Sequence, residues 1–174
     1  MSKAVKYVID ADCLITAKNQ YYAFDICPGF WVFIEACIRQ KAVIGIAEVY
    51  DEIIFKNDEL SEWAKEIGRD VFVNDPADQS IPTGRSAVSQ RVDRNPQYTS
   101  AAKAEFLRGA DPLLITHAWR RGHTIVTLER SAPDSRKDIK IPDIARSFGV
   151  NCISPFAMLR VLGANFVRNE SKQS

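Results

Sequence analysis

Histidine is nearly missing from this 174-residue chain, where His117 and His123 are the only two. Its four cysteines, Cys13, Cys27, Cys37 and Cys152, form no CxxC pair. These shortages argue against a zinc site, which draws on closely spaced Cys and His. Cys13 and Cys37 lie in apolar stretches and read as small buried hydrophobes, a usage that suits a reducing cytosol. Neither sign of charge is in excess. With 23 Lys and Arg against 22 Asp and Glu, the net charge is +1, and a polyanionic partner would have to be met by local patches. No apolar run approaches the roughly 20 residues of a membrane span, and Met1 to Asp12 is too short and too interrupted by charge for a signal peptide. The expectation is a cytoplasmic protein with no membrane association.

What is present is an alternation of short apolar strands and amphipathic helices. Strands are expected at Val5–Ile9, Ala42–Ile46, Val71–Val73, Thr124–Leu128 and Cys152–Ile153. Helices are expected over Cys13–Lys18, from Pro28 through Ile38, over Ala47–Phe55, from Asp58 to Gly68, over Arg85–Arg94, Tyr98–Arg108, Pro142–Phe148 and Pro155–Leu162, and from Asp111 to about Arg121. Asp111-Pro112 reads as a helix start with Asp as N-cap, and Asp12 reads as a second capping aspartate. Residues 74–84, with two prolines and a glycine, read as a loop, as does the charged stretch 130–140. No repeat or long linker divides the chain. The expected architecture is α/β, one domain over residues 1–167 with a central parallel sheet flanked by helices on both faces, followed by a polar tail at 168–174.

Four acids fall at or near the expected strand ends: Asp10 in YVIDAD, Glu52 in IAEVYDEI, Asp111 in GADPLLITHA and Glu129 in IVTLE. Each has an ordinary structural role open to it, as turn, solvated helix face, cap or loop residue. Their joint placement is more telling, because open α/β sheets bind ligands at the carboxyl ends of their strands. Carboxylates meeting there repel one another unless a hard cation intervenes, and Mg²⁺ or Mn²⁺ is the natural candidate. Asp12 is a further, weaker ligand candidate. Phosphodiester cleavage is the chemistry such a site performs best.

The blocks YVIDADCLI, IGIAEVYDEI, ADPLLITHAWRRG and HTIVTLER resemble, in order and spacing, the four acidic motifs of PIN-domain nucleases, and stretches such as KIPDIARSFGV resemble a bacterial, VapC-like subgroup. The resemblance spans roughly residues 5 to 155. It implies a Mg²⁺- or Mn²⁺-dependent ribonuclease with Asp10, Glu52, Asp111 and Glu129 as catalytic metal-binding residues. It also implies the toxin of a toxin–antitoxin pair, a homodimer held inactive by a small antitoxin. Two positions depart from the pattern. Ala11 and Asp12 follow the first Asp where hydroxyl or Asn residues are usual, and Glu129 stands for the commoner Asp.

An RNA substrate needs cations beside the acids. Arg85, Arg91, Arg94, Lys103 and Arg108 precede Asp111, and Arg130, Arg136, Lys137 and Lys140 follow Glu129. Of these, Arg85, Arg91, Arg94, Arg108, Arg130 and Lys137 are the substrate-binding candidates. The aromatic group Tyr21, Tyr22, Phe24, Phe30 and Trp31 reads as core, with a dimer face as the sharper alternative. Two rival functions are compatible with the residues. Asp10-Ala11-Asp12 after an apolar strand resembles the first motif of haloacid-dehalogenase-type phosphatases, with Asp10 as nucleophile and Asp12 as acid. The other rival is a PIN-fold binding module whose acids assemble no productive site.

Overall fold

The computed structural model describes residues 5–73 and 78–167, so the polar tail at 168–174 and part of the 74–84 loop lie outside the described residues. The core is a parallel sheet of four strands, β1 (Tyr7–Ile9), β2 (Val43–Ile44), β3 (Thr124–Val126) and β4 (Cys152–Ile153), in the order β2-β1-β3-β4. Tyr7 pairs with Val43 on one side and Thr124 on the other, and Ile125 pairs with Cys152. Successive residues of β1 point to opposite faces, yet all three are buried, so both faces of the sheet are covered. The chain is therefore α/β, as the alternating pattern predicts. Among the described residues, no helix is long and apolar enough to cross a membrane.

The helices are α1 (Ala11–Thr16), α2 (Pro28–Arg39), α3 (Ala47–Phe55), α4 (Glu59–Ile67), α5 (Arg69–Phe72), α6 (Ser80–Asp93), α7 (Ser100–Arg108), α8 (Asp111–Arg121), α9 (Ile141–Arg146) and α10 (Pro155–Val161). Beyond Thr16 the chain widens into a π-helical turn over Ala17–Tyr21. Asp58 starts α4 with a capping box: its Oδ1 accepts the Leu60 and Ser61 N–H groups at 3.1 Å each, and its own N–H donates to Ser61 Oγ. Gly122 ends α8 in the left-handed region at φ 67°. Of the aromatic group expected in the core, Phe30 and Trp31 are buried, Tyr22 and Phe24 are half-buried and Tyr21 is exposed; Phe24 stacks on Trp31 at 4.0 Å between ring centres, and Trp31 meets Trp63 edge-on at 5.0 Å.

Several sequence-based expectations need correction. Val71–Val73 is not a strand. The N–H groups of Val71 and Phe72 donate to Gly68 O and that of Val73 to Arg69 O, which curls the segment into α5. What remains of sheet pairing is a bridge between Gly45 and Val73. Helix α6 begins at Ser80, inside the expected loop, because Asp78 Oδ1 accepts the Ser80 N–H at 2.8 Å. Pro82, third in that helix, is tolerated where no N–H is required. Asp111 is not the cap of α8: Ala110 is the N-cap, and Asp111 is the first helical residue. Likewise the N-cap of α1 is Asp10, and Asp12 is the second helical residue.

The bridge at Gly45 leaves no room for a side chain. A Cβ there would sit 2.1 Å from Cε1 of the fully buried Phe72 ring. Gly45→Ala is expected to destabilise the protein by about 2–3 kcal/mol in urea denaturation. A loss well under 1 kcal/mol would mean that Phe72 is free to move.

Candidate metal-binding cleft

The strand order places the site. From β1 the chain crosses to β2 on one side, whereas β3 lies on the other, so a crevice opens beyond the carboxyl ends of β1 and β3. Asp10 leaves β1 at this point, its N–H still bonded to Val126 O at 3.0 Å. Glu129 follows β3 by three residues. Thr127, buried at the end of β3, joins them: its hydroxyl donates to Asp10 Oδ2 at 3.0 Å and accepts the Glu129 N–H at 3.1 Å. Glu129 is held from a third direction, because its Oε2 accepts the Ile141 N–H at 2.7 Å, where α9 begins.

The charges of four acids reach one another. Burial pushes the Asp10 carboxyl from its ordinary 3.8 up to about 6 against the opposing hydrogen bond from Thr127, with the charges of Asp12 and Glu129 adding to the rise. Asp111 is pushed up to about 7, first by burial and then by the negative charges of Asp10, Glu129 and Glu52, with Lys140 pulling the other way. Asp10, Asp111, Glu52 and Glu129 thus come from β1, α8, α3 and the segment after β3 into one electrostatic neighbourhood. Asp12 is exposed on α1, 3.4 Å from the Thr16 hydroxyl that donates to it.

A cleft of about 270 Å³ opens over this neighbourhood, lined by Asp111, Glu129, Glu105, Phe106, Lys137 and Lys140 among others. Its far wall is the 130–140 loop, which is pinned along its length. Asp143 Oδ2 accepts the Ala132 N–H at 2.9 Å, Gln97 Nε2 donates to Ser135 O at 2.7 Å, and Thr99 N–H donates to Arg136 O at 2.9 Å. Lys140 Nζ lies 3.6 Å from Glu129 Oε1.

Of the expected substrate residues, Lys137 lines this cleft. Arg130 is exposed next to Glu129, and Arg108 is exposed on the last turn of α7. Arg91 and Arg94 line a separate depression with Ser147 and Phe148, and Arg85 lies on an exposed stretch of α6 with Ser89 and Asp93. Lys103 donates to Asp93 O at 2.6 Å and fastens α7 to the end of α6.

Sequence reasoning treated Thr127 only as part of a motif and missed Asp143 as the anchor of the loop. It also gave no role to Glu48, one turn before Glu52, whose Oε2 is buried with no hydrogen-bond partner. An acidic oxygen withdrawn from water without a donor is costly unless a cation compensates it. The donor set fits a hard divalent cation in kind, being carboxylate oxygens. Among the described residues, no three His, Cys, Asp or Glu side chains are gathered as a ready metal-binding group. The acids sense one another's charge without closing on a common point.

A family model described as Domain of unknown function (DUF4411) matches residues 7–166, and the chain belongs to that family. The match takes in all four acids. No curated protein matches the chain.

In the unfolded chain Asp10 and Asp111 ionise near 3.8, whereas in the folded chain they hold their protons to about 6 and 7. The folded state therefore binds more protons than the unfolded state between about pH 4 and 7. Stability is fully present below that window and falls as pH rises through it, by on the order of a few kcal/mol. Asp111→Asn cannot ionise. It is expected to raise the melting temperature of the metal-free protein at pH 8 and to match the wild type at pH 4. Equal melting temperatures at pH 8 would show that Asp111 carries none of the repulsion. Thr127→Val removes a donor to Asp10 and an acceptor for the Glu129 N–H. We expect a loss of about 1–3 kcal/mol in chemical denaturation, largely restored by Thr127→Ser; equal loss in both variants would assign the effect to packing.

Proposed function

We propose that this DUF4411 family member is a Mg²⁺- or Mn²⁺-dependent nuclease that hydrolyses phosphodiester bonds in RNA. The observation that carries this reading is the meeting of Asp10 and the Glu129 segment on the Thr127 hydroxyl, beside an Asp111 carboxyl raised by burial and by the charges of Asp10, Glu129 and Glu52. Four acids from four separate stretches of chain are held where a parallel sheet places its ligands. The order and spacing of the same four acids resemble the PIN-domain nucleases, and that resemblance alone supports RNA as the substrate. It also supports the further proposals of a toxin paired with a small antitoxin, a homodimeric state and a cytoplasmic location.

In this reading Asp10, Glu52, Asp111 and Glu129 hold the ion, with Asp12 as an outer residue. When bound, a divalent cation lowers the pKa of a coordinated water and stabilises the charge that develops on the phosphate. The chain's own residues do the rest. Thr127 orients Asp10 by bonding one of its oxygens, and the α9 N-terminus orients Glu129. Lys137 and Lys140 supply positive charge in the cleft, against which a phosphodiester anion can settle despite the acids. Arg108 and Arg130 are placed to extend this attraction along a strand. Arg85, Arg91 and Arg94 would contact only a longer substrate that reaches across α6.

A binding module that takes up a divalent ion without cleaving is the second reading, and the absence of a ready three-acid group among the described residues favours it. The phosphatase pattern gains nothing from the site, because Asp12 lies on the exposed side of α1.

The test is cleavage of labelled single-stranded RNA with Mn²⁺ or Mg²⁺. We expect metal-dependent cuts that fall by at least about a hundredfold in Asp10→Asn and Asp111→Asn, with circular dichroism unchanged. Full activity in either variant would remove the acids from the mechanism. Mn²⁺ binding without cleavage would favour the binding module.

A further inference from the structure

Lys140 stands in the acidic cleft itself. Its backbone carbonyl opens α9 by accepting the N–H groups of Asp143 at 3.0 Å and Ile144 at 3.4 Å, which fixes the root of the side chain whatever the ammonium does. The ammonium lies 3.6 Å from Glu129 Oε1, and Asp111 also feels its charge. The other Glu129 oxygen takes the N–H of the very next residue, Ile141. One carboxylate is thus gripped by two consecutive residues, one through its side chain and one through its backbone.

The two grips differ in kind. The Ile141 contact is a hydrogen bond and belongs to the helix start. The Lys140 contact is too long for a hydrogen bond and is purely Coulombic, so it can be exchanged without breaking local structure. Its side chains are 33% and 25% exposed, partly sheltered from the screening that weakens ion pairs on an open surface. Lys137 and Lys140 both line the cleft, and Lys140 is the one set against Glu129.

Resting on the reading of the cleft as a divalent-cation site, we infer that Lys140 is the built-in counter-ion of the metal-free site and a positioning residue for Glu129, with which a divalent cation must compete. One ammonium offsets one of four carboxylates, enough to hold Glu129 in place without filling the site. A divalent cation entering beside it meets repulsion from a charge of its own sign. Its affinity is therefore set lower than the acids alone would give. Once the ion carries the compensation, the ammonium is released from Glu129 and turns to a phosphodiester in the cleft it shares with Lys137.

Mn²⁺ titrated by calorimetry into the metal-free wild type, Lys140→Met and Lys140→Arg tests this. Lys140→Met is expected to bind Mn²⁺ on the order of tenfold more tightly than the wild type and to melt earlier without metal, while Lys140→Arg stays close to the wild type in both. Unchanged or weaker binding in Lys140→Met, beside a normal wild-type isotherm, overturns the counter-ion role and leaves the metal site standing. Tighter binding in both variants ties the effect to side-chain shape and overturns it too. No Mn²⁺ binding by any of the three overturns the inference together with the site on which it rests.

Discussion

A carboxylate leaves water only if something takes over from it, and at the carboxyl ends of β1 and β3 several must do so together. Each takes a different route. Asp10 gains the Thr127 hydroxyl and retains its proton to about 6. Asp111 gains the attraction of Lys140 and retains its proton to about 7. Glu129 gains a backbone N–H from the start of α9 as well as the Lys140 ammonium. None of these routes removes the repulsion, because neighbouring negative charges still raise Asp10 and Asp111. The arrangement makes sense only if the scaffold holds the charges together against their own preference.

That scaffold is the short parallel sheet. β1 and β3 have three residues each, and both stop where the polar chemistry starts. Their pairing continues past the assigned strands through the Asp10 N–H to Val126 O, so the Asp10 backbone has little freedom to retreat. Below them, Val8, Ile9, Leu14, Ile53 and Ile125 are buried to 2% exposure or less, which anchors the strands and the inner faces of α1 and α3 in one apolar cluster. The stacked and edge-on contacts among Phe24, Trp31, Trp63 and Phe72 extend that cluster. Packing at this density moves little, and the cost of crowded charge is met there and not by local relaxation.

The parts legible in the sequence were those encoded by near neighbours. Val8 and Ile9 before Asp10, and Ile125 and Val126 before Thr127, announce buried strands ending in polar residues. Glu52 lies exposed on the helix after β2 and reaches Asp111 through its charge. The parts that were not legible depend on contacts across the chain. Val71, Phe72 and Val73 have strand propensity, and only the Phe72 ring filling the space above Gly45 and the N–H groups turning back to Gly68 make them a helical turn. Asp111-Pro112 has the composition of a capped start, yet Ala110 takes the cap position and Asp111 is the first helical residue. Thr127 pairs with Asp10 across 117 residues, a separation at which no local pattern operates. The basic residues were visible as a group, but only the fold separates Lys137 and Lys140 in the cleft from Arg91 and Arg94 beside Phe148.

Two of the site's features then bear on each other. Ala11, which follows Asp10, is buried and has no polar group to offer it. The hydroxyl on Asp10 comes from Thr127, just past β3, whose oxygen also receives the Glu129 N–H. Asp10 and the segment carrying Glu129 are therefore coupled through one side chain, and anything that shifts one acid is felt by the other. The longer arm of Glu129 fits the same arrangement. An Asp at 129 would have to reach the Ile141 N–H and the Lys140 ammonium with one methylene fewer, whereas Glu spans to both while its backbone stays bonded to Thr127. The Thr127 hydroxyl and the length of Glu129 thus serve one arrangement: Thr127 ties Asp10 to the segment that carries Glu129, and the Glu129 carboxylate reaches on to the start of α9.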